Sequence, residues 1–183
     1  MMTTEAIVES GLTFGPFPEG HCFYIEKSDI YEQINKQVQR VNQKNKEGVK
    51  IAEFLLLRND TDSHTIWIIE AKSSAPQPKS KDDFDKYIKD ICDKFVNSLI
   101  LTSSLKRNPD VNDKLSDNFK QIDIASAQFV LTLVINGFKT DWIPPLQHAL
   151  KNALRSTVIK WSLSSKNILV LNEEGARKEK LIL

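Results

Sequence analysis

Residues 48–74 read GVKIAEFLLLRNDTDSHTIWIIEAKSS, and the rest of the chain is organised around them. Ile51 to Leu57 is one short apolar run and Ile66 to Ala71 is another. Between them lies RNDTDSHT, polar throughout and rich in turn formers, which predicts two strands joined by a hairpin loop. Both runs are apolar on both faces, as suits strands in the middle of a covered sheet. Yet Glu53 interrupts the first run, and Glu70 and Lys72 end the second. Charges are almost never fully buried unless they are paired or bind something.

Strand geometry sharpens that conflict. Side chains at i and i+2 share a face, so Glu70 and Lys72 point the same way and Ala71 points into the opposite layer. If the hairpin closes symmetrically, Leu57 pairs with Ile66 and Glu53 with Glu70. Cβ atoms of directly opposed residues lie about 4.5–5.5 Å apart. Two carboxylates so placed repel, and a divalent cation between them removes the repulsion. Mg²⁺ typically takes one or two carboxylates together with substrate phosphate and water. A slip of one residue in the register would turn one of the two glutamates to the other face.

An acidic residue, a spacer and then Glu-x-Lys on the next strand resembles the PD-(D/E)XK nuclease superfamily. The resemblance rests on Glu53, Glu70 and Lys72 and covers roughly the residues quoted above. It implies a restriction-endonuclease-like fold, an α/β (α+β) architecture with a mixed central sheet flanked by helices. It implies that Glu53 and Glu70 hold Mg²⁺ or Mn²⁺ and that Lys72 serves the attacking water. The implied function is a metal-dependent nuclease that hydrolyses phosphodiester bonds in DNA or RNA, in restriction, repair or phage defence. The sequence departs from the family pattern where Ala52-Glu53 stands in place of the usual Pro-Asp. The plainer reading of the same residues is a salt bridge at the end of a sheet. Many members of the superfamily carry an extra glutamate on the helix before the motif. Glu32 lies opposite the apolar stripe of that helix, at about 100° per residue, whereas Glu26 just outside it is an accessory candidate.

After Lys72, Ser73 and Ser74 are placed to contact a phosphate or a water, or simply to make the turn that Pro76 and Pro78 impose. Lys79, Lys81 and Lys86 cluster at the start of the next helix and are candidates for tracking a phosphate backbone. Asp82, Asp83, Asp85 and Asp90 are interleaved with them, as on a solvated helix face.

The chain has 183 residues, enough for one domain, assigned to 1–183 with a loosely packed leader over 1–20. Its hydrophobic content of 40% and charged content of 27% are ordinary for a globular protein. A formal net charge of +1 gives no global pull toward nucleic acid or membrane, and leaves room for a local basic groove. Cys22 and Cys92 have no C-x-x-C spacing and read as buried free thiols of a cytoplasmic protein. His21, His64 and His148 have no zinc-ligand spacing. The first ten residues lack a signal-peptide pattern, and no apolar run approaches the roughly 18–20 residues of a membrane span.

Along the chain, a helical turn is expected near Glu5 to Ser10, and His21 to Ile25 predicts a short strand. A helix follows from about Ile30 to Asn42, capped by Ser28 or Asp29, with Ile30, Ile34, Val38 and Val41 as its stripe. Gln43 to Gly48 is a polar turn. Ser80 caps a long helix to about Leu105 whose stripe, from Phe84 through Ile88, Ile91, Phe95 and Leu99, is core. Lys106 to Ser126 either holds a short helix around Val111 to Phe119 or is mobile. Gln128 to Ile135 is a buried strand, and Trp142 opens a helix that buries Leu146, Leu150 and Leu154. Thr157 to Leu163 and Ile168 to Leu171 predict short strands, and Glu173 to Leu183 a final helical turn or an edge strand.

The order of elements predicts a mixed sheet with helices on both faces. Two functions follow from different classes: the nuclease, with nucleic acid as partner, or a catalytically silent module of the same fold that binds protein or nucleic acid. A homodimer would suit double-strand cleavage, although no stretch argues for one. No P-loop, dinucleotide fingerprint or nucleophile motif points to other chemistry.

Overall fold

Leu57 pairs with Ile66, as the symmetric hairpin requires, and this register fixes which side chains share a face. The protein is described by a computed structural model over residues 4–42, 48–60, 63–105 and 115–183. In chain order the elements are β1 (Ile7–Glu9), β2 (Leu12–Phe14), β3 (Cys22–Phe23), α1 (Asp29–Val41), β4 (Phe54–Asp60), β5 (Ser63–Lys72) and α2 (Lys81–Leu105). They continue as α3 (Asp117–Gln121), β6 (Gln128–Ile135), α4 (Ile143–Ala153), α5 (Arg155–Lys160), β7 (Ile168–Leu171) and α6 (Glu173–Lys178). Among these residues no helix is long and apolar enough to cross a membrane.

β3 to β7 form one mixed sheet in sequence order. β3–β4 and β4–β5 are antiparallel, while β5–β6 and β6–β7 are parallel. Parallel neighbours need a crossover, and α2 and α4 lie in the two crossover connections. Alternation along the central strands divides the core in two. Leu55, Leu57, Ile66, Ile68, Leu131 and Leu133 pack with Ile88, Ile91, Phe95 and Leu99 of α2 and with Leu146 and Leu150 of α4. Phe54, Leu56, Trp67 and Ile69 face the other way, toward Phe14, Phe17, Ala176 and Leu181.

That second layer corrects the expected leader. Residues 4–20 are no loose segment and carry no helical turn at Glu5 to Ser10. β1 and β2 form a hairpin, and Phe14 and Phe17 are buried, with the Phe14 ring meeting Phe54 edge-on at 5.2 Å. Ser10 and Gly11 make its two-residue turn with φ of 52° and 77°, the left-handed pair that a tight hairpin demands. Added atoms at Gly11 would meet Asn136 Nδ2 at 2.6 Å, so the tip also sits hard against the end of β6.

Thr157 to Leu163 is also corrected. Its β-branched run enters α5, because Leu154 is buried and Val158 and Trp161 pack against the core at helical spacing from it. The expected strand over His21 to Ile25 shortens to Cys22 and Phe23. A short helix does follow Lys106, but at Asp117–Gln121, with Ser116 as its N-cap. The polar turn at Gln43 to Gly48 falls mostly outside the described residues, as does 106–114.

β4 begins at Phe54, later than Ile51, because the backbone before it is bonded elsewhere. Ala52 N–H donates to the Ser98 hydroxyl of α2 at 2.9 Å, in a fully buried position. Removing that acceptor strands a buried donor, which costs about 1–3 kcal/mol. Ser98→Ala is therefore expected to lower unfolding free energy by about that amount in denaturant titration, while Ser103→Ala, at a half-buried position of the same helix whose hydroxyl bonds only the local Ile100 carbonyl, changes it by less than about 0.5 kcal/mol.

Candidate functional site

The start of β4, the end of β5 and the middle of α2 bring four charged side chains together under one face of the sheet. The regular pairing of β4 with β5 ends at Phe54 and Ile69, short of the expected Glu53–Glu70 pair. Glu53 N–H donates to the same Ile69 O at 3.0 Å, one residue off that register, and Glu53 and Glu70 meet instead at Lys94. Glu70 and Lys72 sit two residues apart on β5, on the face that α2 covers. Glu70 is completely buried and Glu53 is 6% exposed. Lys72 Nζ lies 2.9 Å from Glu70 Oε1, and its side chain is 28% exposed. The charges that the sequence places in an apolar sheet are thus inside it, and they are paired.

The main partner comes from α2 and has no counterpart in the motif. Lys94 Nζ lies 2.8 Å from Glu70 Oε1 and 3.8 Å from Glu53 Oε1, and it donates to Glu70 Oε2 at 3.0 Å. One ammonium therefore serves both carboxylates. Sequence reading missed it, although the signal was present. Tyr87, Ile91, Lys94 and Ser98 recur at i, i+4, i+7 and i+11, so a lysine stands in a helix row whose other members turn inward.

Glu26 joins the group from the loop before α1. Its N–H donates to Glu53 O at 3.1 Å, and its carboxyl hydrogen-bonds the Glu53 carboxyl. Two carboxyls can bond only if one carries a proton. Burial, then the Glu26 hydrogen bond, then the nearby Glu70 charge push the Glu53 carboxyl up to about 9. Burial also raises Glu70, against the pull of Lys94 and Lys72. For Lys94, Glu70 and Glu53 outweigh the burial that opposes its charge and hold it above the usual lysine range. Glu53 Oε2 is buried and receives no N–H or side-chain O–H bond among the described residues.

Beside this cluster runs a groove of about 730 Å³ between Lys50, the segment Ser74–Pro76 and one side of α2. Tyr87 and Asp90 line it, and both also feel the charges of the cluster. Lys50 Nζ bonds Asp90 Oδ1 at 2.6 Å along its wall. Of the three candidate phosphate-tracking lysines, Lys86 lines the groove, while Lys79 and Lys81 are exposed at the start of α2. Asp83, Asp90 and Asp93 balance Lys50, Lys86 and Lys89 in its lining, so it is no basic stripe. Ser73 is exposed, and it is Ser74 that reaches the groove. Glu32 faces solvent and pairs with Lys36 at 2.5 Å.

Two hard carboxylate donors that share one cation, one of them with an oxygen left without a donor, fit a small divalent ion completed by water and phosphate oxygens. Among the described residues, no group of three or more His, Cys, Asp or Glu is placed to hold a metal by itself. Compared with known proteins, the chain matches no family model, and no significant match is found among curated proteins or solved structures.

The proton on Glu53 has a consequence for stability. Its carboxyl rises from 4.5 to about 9 on folding, so between these pH values the native state holds a proton that the unfolded chain has lost. This contribution is complete below pH 4.5 and is lost as pH rises toward about 9. The melting temperature of the metal-free protein should fall across that window. Glu53→Gln, which cannot ionise, should flatten the fall; an equally steep slope in the variant would contradict the assignment.

Proposed function

We propose that this protein is a metal-dependent nuclease acting on DNA or RNA. The observation that carries the reading is the convergence of Glu53, Glu70 and Lys72 on one face, within a shared set of ion pairs beside a groove. Glu53 and Glu70 would hold Mg²⁺ or Mn²⁺, with Glu26 beside Glu53 as a further carboxyl at the site. A bound divalent cation would supply neutralising charge for a phosphate and a more acidic water.

The chain's own part is positioning. Lys72 stands at the boundary between the buried carboxylates and solvent, with its ammonium fixed by Glu70. From there it can orient a water by hydrogen bonding or stabilise negative charge developing on phosphate oxygens. β5 holds Glu70 and Lys72 through its parallel pairing with β6, which runs from Thr65 to Lys72, while its pairing with β4 ends at Ile69.

A second reading, the catalytically silent module, has its own observation. Glu70 has zero exposure, and both lysines neutralise it without any added ion. A buried ion-pair cluster of this kind is self-sufficient as structure.

Mn²⁺ or Mg²⁺ is expected to raise the melting temperature by ligand linkage and to support cleavage of single- or double-stranded DNA or RNA. Glu70→Gln, which keeps the side chain's shape, should lose both the thermal shift and cleavage. Lys72→Ala should keep the shift and lose cleavage. No shift and no cleavage in the unaltered protein would leave the silent module, and cleavage by Lys72→Ala at the wild-type rate would remove the role given to the lysine.

A further inference from the structure

Lys94 is the cation that the two candidate metal ligands already share. Its ammonium is within 3.0 Å of both oxygens of Glu70 and 3.8 Å from Glu53, and its side chain is only 12% exposed. Glu53, Glu70 and Glu26 together carry at most three negative charges, and Lys72 and Lys94 supply two positive ones. Bringing in a divalent ion would set four positive charges against at most three negative ones in a poorly solvated space. Charges a few ångströms apart at an effective dielectric of about 20 interact by several kcal/mol, so such crowding is not sustained. One ammonium has to leave. Lys72 approaches only Glu70 Oε1, whereas Lys94 covers both Glu70 oxygens and also faces Glu53.

Resting on the nuclease reading, we propose that Lys94 is a built-in counter-cation of the Glu53–Glu70 pair, and that a divalent ion binds by displacing its ammonium toward the groove. The helix provides a place for it to go. Asp90 lies one turn before Lys94 on the same face of α2, in the groove wall, where one of its oxygens already pairs with Lys50 and the other is left for a second cation. An acid four residues before a lysine is the favourable orientation for a pair along a helix. Lys94 therefore keeps the carboxylates together in the metal-free protein and sets the concentration at which metal can enter. It acts through the ligands and is a positioning residue.

The inference is tested with metal alone, in the absence of nucleic acid. Mn²⁺ binding to wild type, Lys94→Met and Lys94→Gln is measured by electron paramagnetic resonance, and circular dichroism checks that each variant folds. Both variants should bind Mn²⁺ at least about tenfold more tightly, since about 1.4 kcal/mol of competition corresponds to that factor. A second readout needs no variant. Reductive methylation of Lys94 in the wild type, followed by mass spectrometry, should be slow without metal and accelerate at saturating Ca²⁺. Wild-type Mn²⁺ binding with unchanged or weaker affinity in folded variants, or methylation of Lys94 that metal leaves unchanged, would overturn the displacement while leaving the nuclease reading standing. Absence of Mn²⁺ binding in wild type and variants alike would remove the nuclease reading, and the Lys94 proposal with it. Should the variants fail to fold, the methylation result alone decides.

Discussion

A carboxylate at Glu70, in the interior of a sheet that is otherwise apolar, constrains everything around it. Ionised groups lose their hydration on burial and hold their charge only beside compensating charge. Lys94 supplies most of that compensation from α2, and Lys72 supplies the rest from the same strand. The helix must therefore lie across β5 at one rotation and one height. The apolar contacts of Ile91, Phe95 and Leu99 fill in around that anchor. A cluster of this type contributes less to net stability than to specifying a single arrangement, since a misplaced helix would bury an uncompensated charge.

The same layer connects fold to chemistry. Ser98, one turn after Lys94, holds the backbone just before Glu53, and Glu26 holds the backbone just after it. With Ile69 O, which accepts from the Glu53 N–H, three distant parts of the chain thus fix the backbone at one glutamate, with its side chain left to answer to charge. The outcome is a site with more buried negative charge than hydration can support, resolved by a proton on Glu53 and an ammonium at Glu70. Proton and lysine are two solutions to one electrostatic problem.

Much of this was legible in residues 48–74. Two apolar runs around a polar loop predict the hairpin, symmetric closure gives the Leu57–Ile66 register, and strand geometry puts Glu70 and Lys72 on one face. Glu26 was reachable as a residue just outside a helix end near the motif. Lys94 was not read, because a helix lysine among apolar neighbours looks like any stem that snorkels to solvent until the sheet beneath it is known to carry acid. The N-terminal hairpin was missed for a different reason. Its strands are three residues each, too short for alternation to register, and Gly15, Pro16 and Pro18 after them mimic a loose loop. The run at Thr157 to Leu163 shows tertiary context overriding β-propensity: Val158 and Ile159 favour a strand, yet burial is organised by Leu154, Val158 and Trp161 along a helix.

That hairpin lies on the opposite side of the sheet from the charged cluster, yet it reaches the same strand end. The Ser10 hydroxyl donates to Ala71 O at 3.0 Å, and Asn136 Nδ2 donates to Ser10 O at 3.1 Å. Ala71 is the residue between Glu70 and Lys72. The tip of β1–β2 thus acts as a rear brace for the peptide units that aim those two side chains forward. Changes to the β1–β2 hairpin, remote as it looks from the groove, would loosen the aim of the glutamate and the lysine from behind.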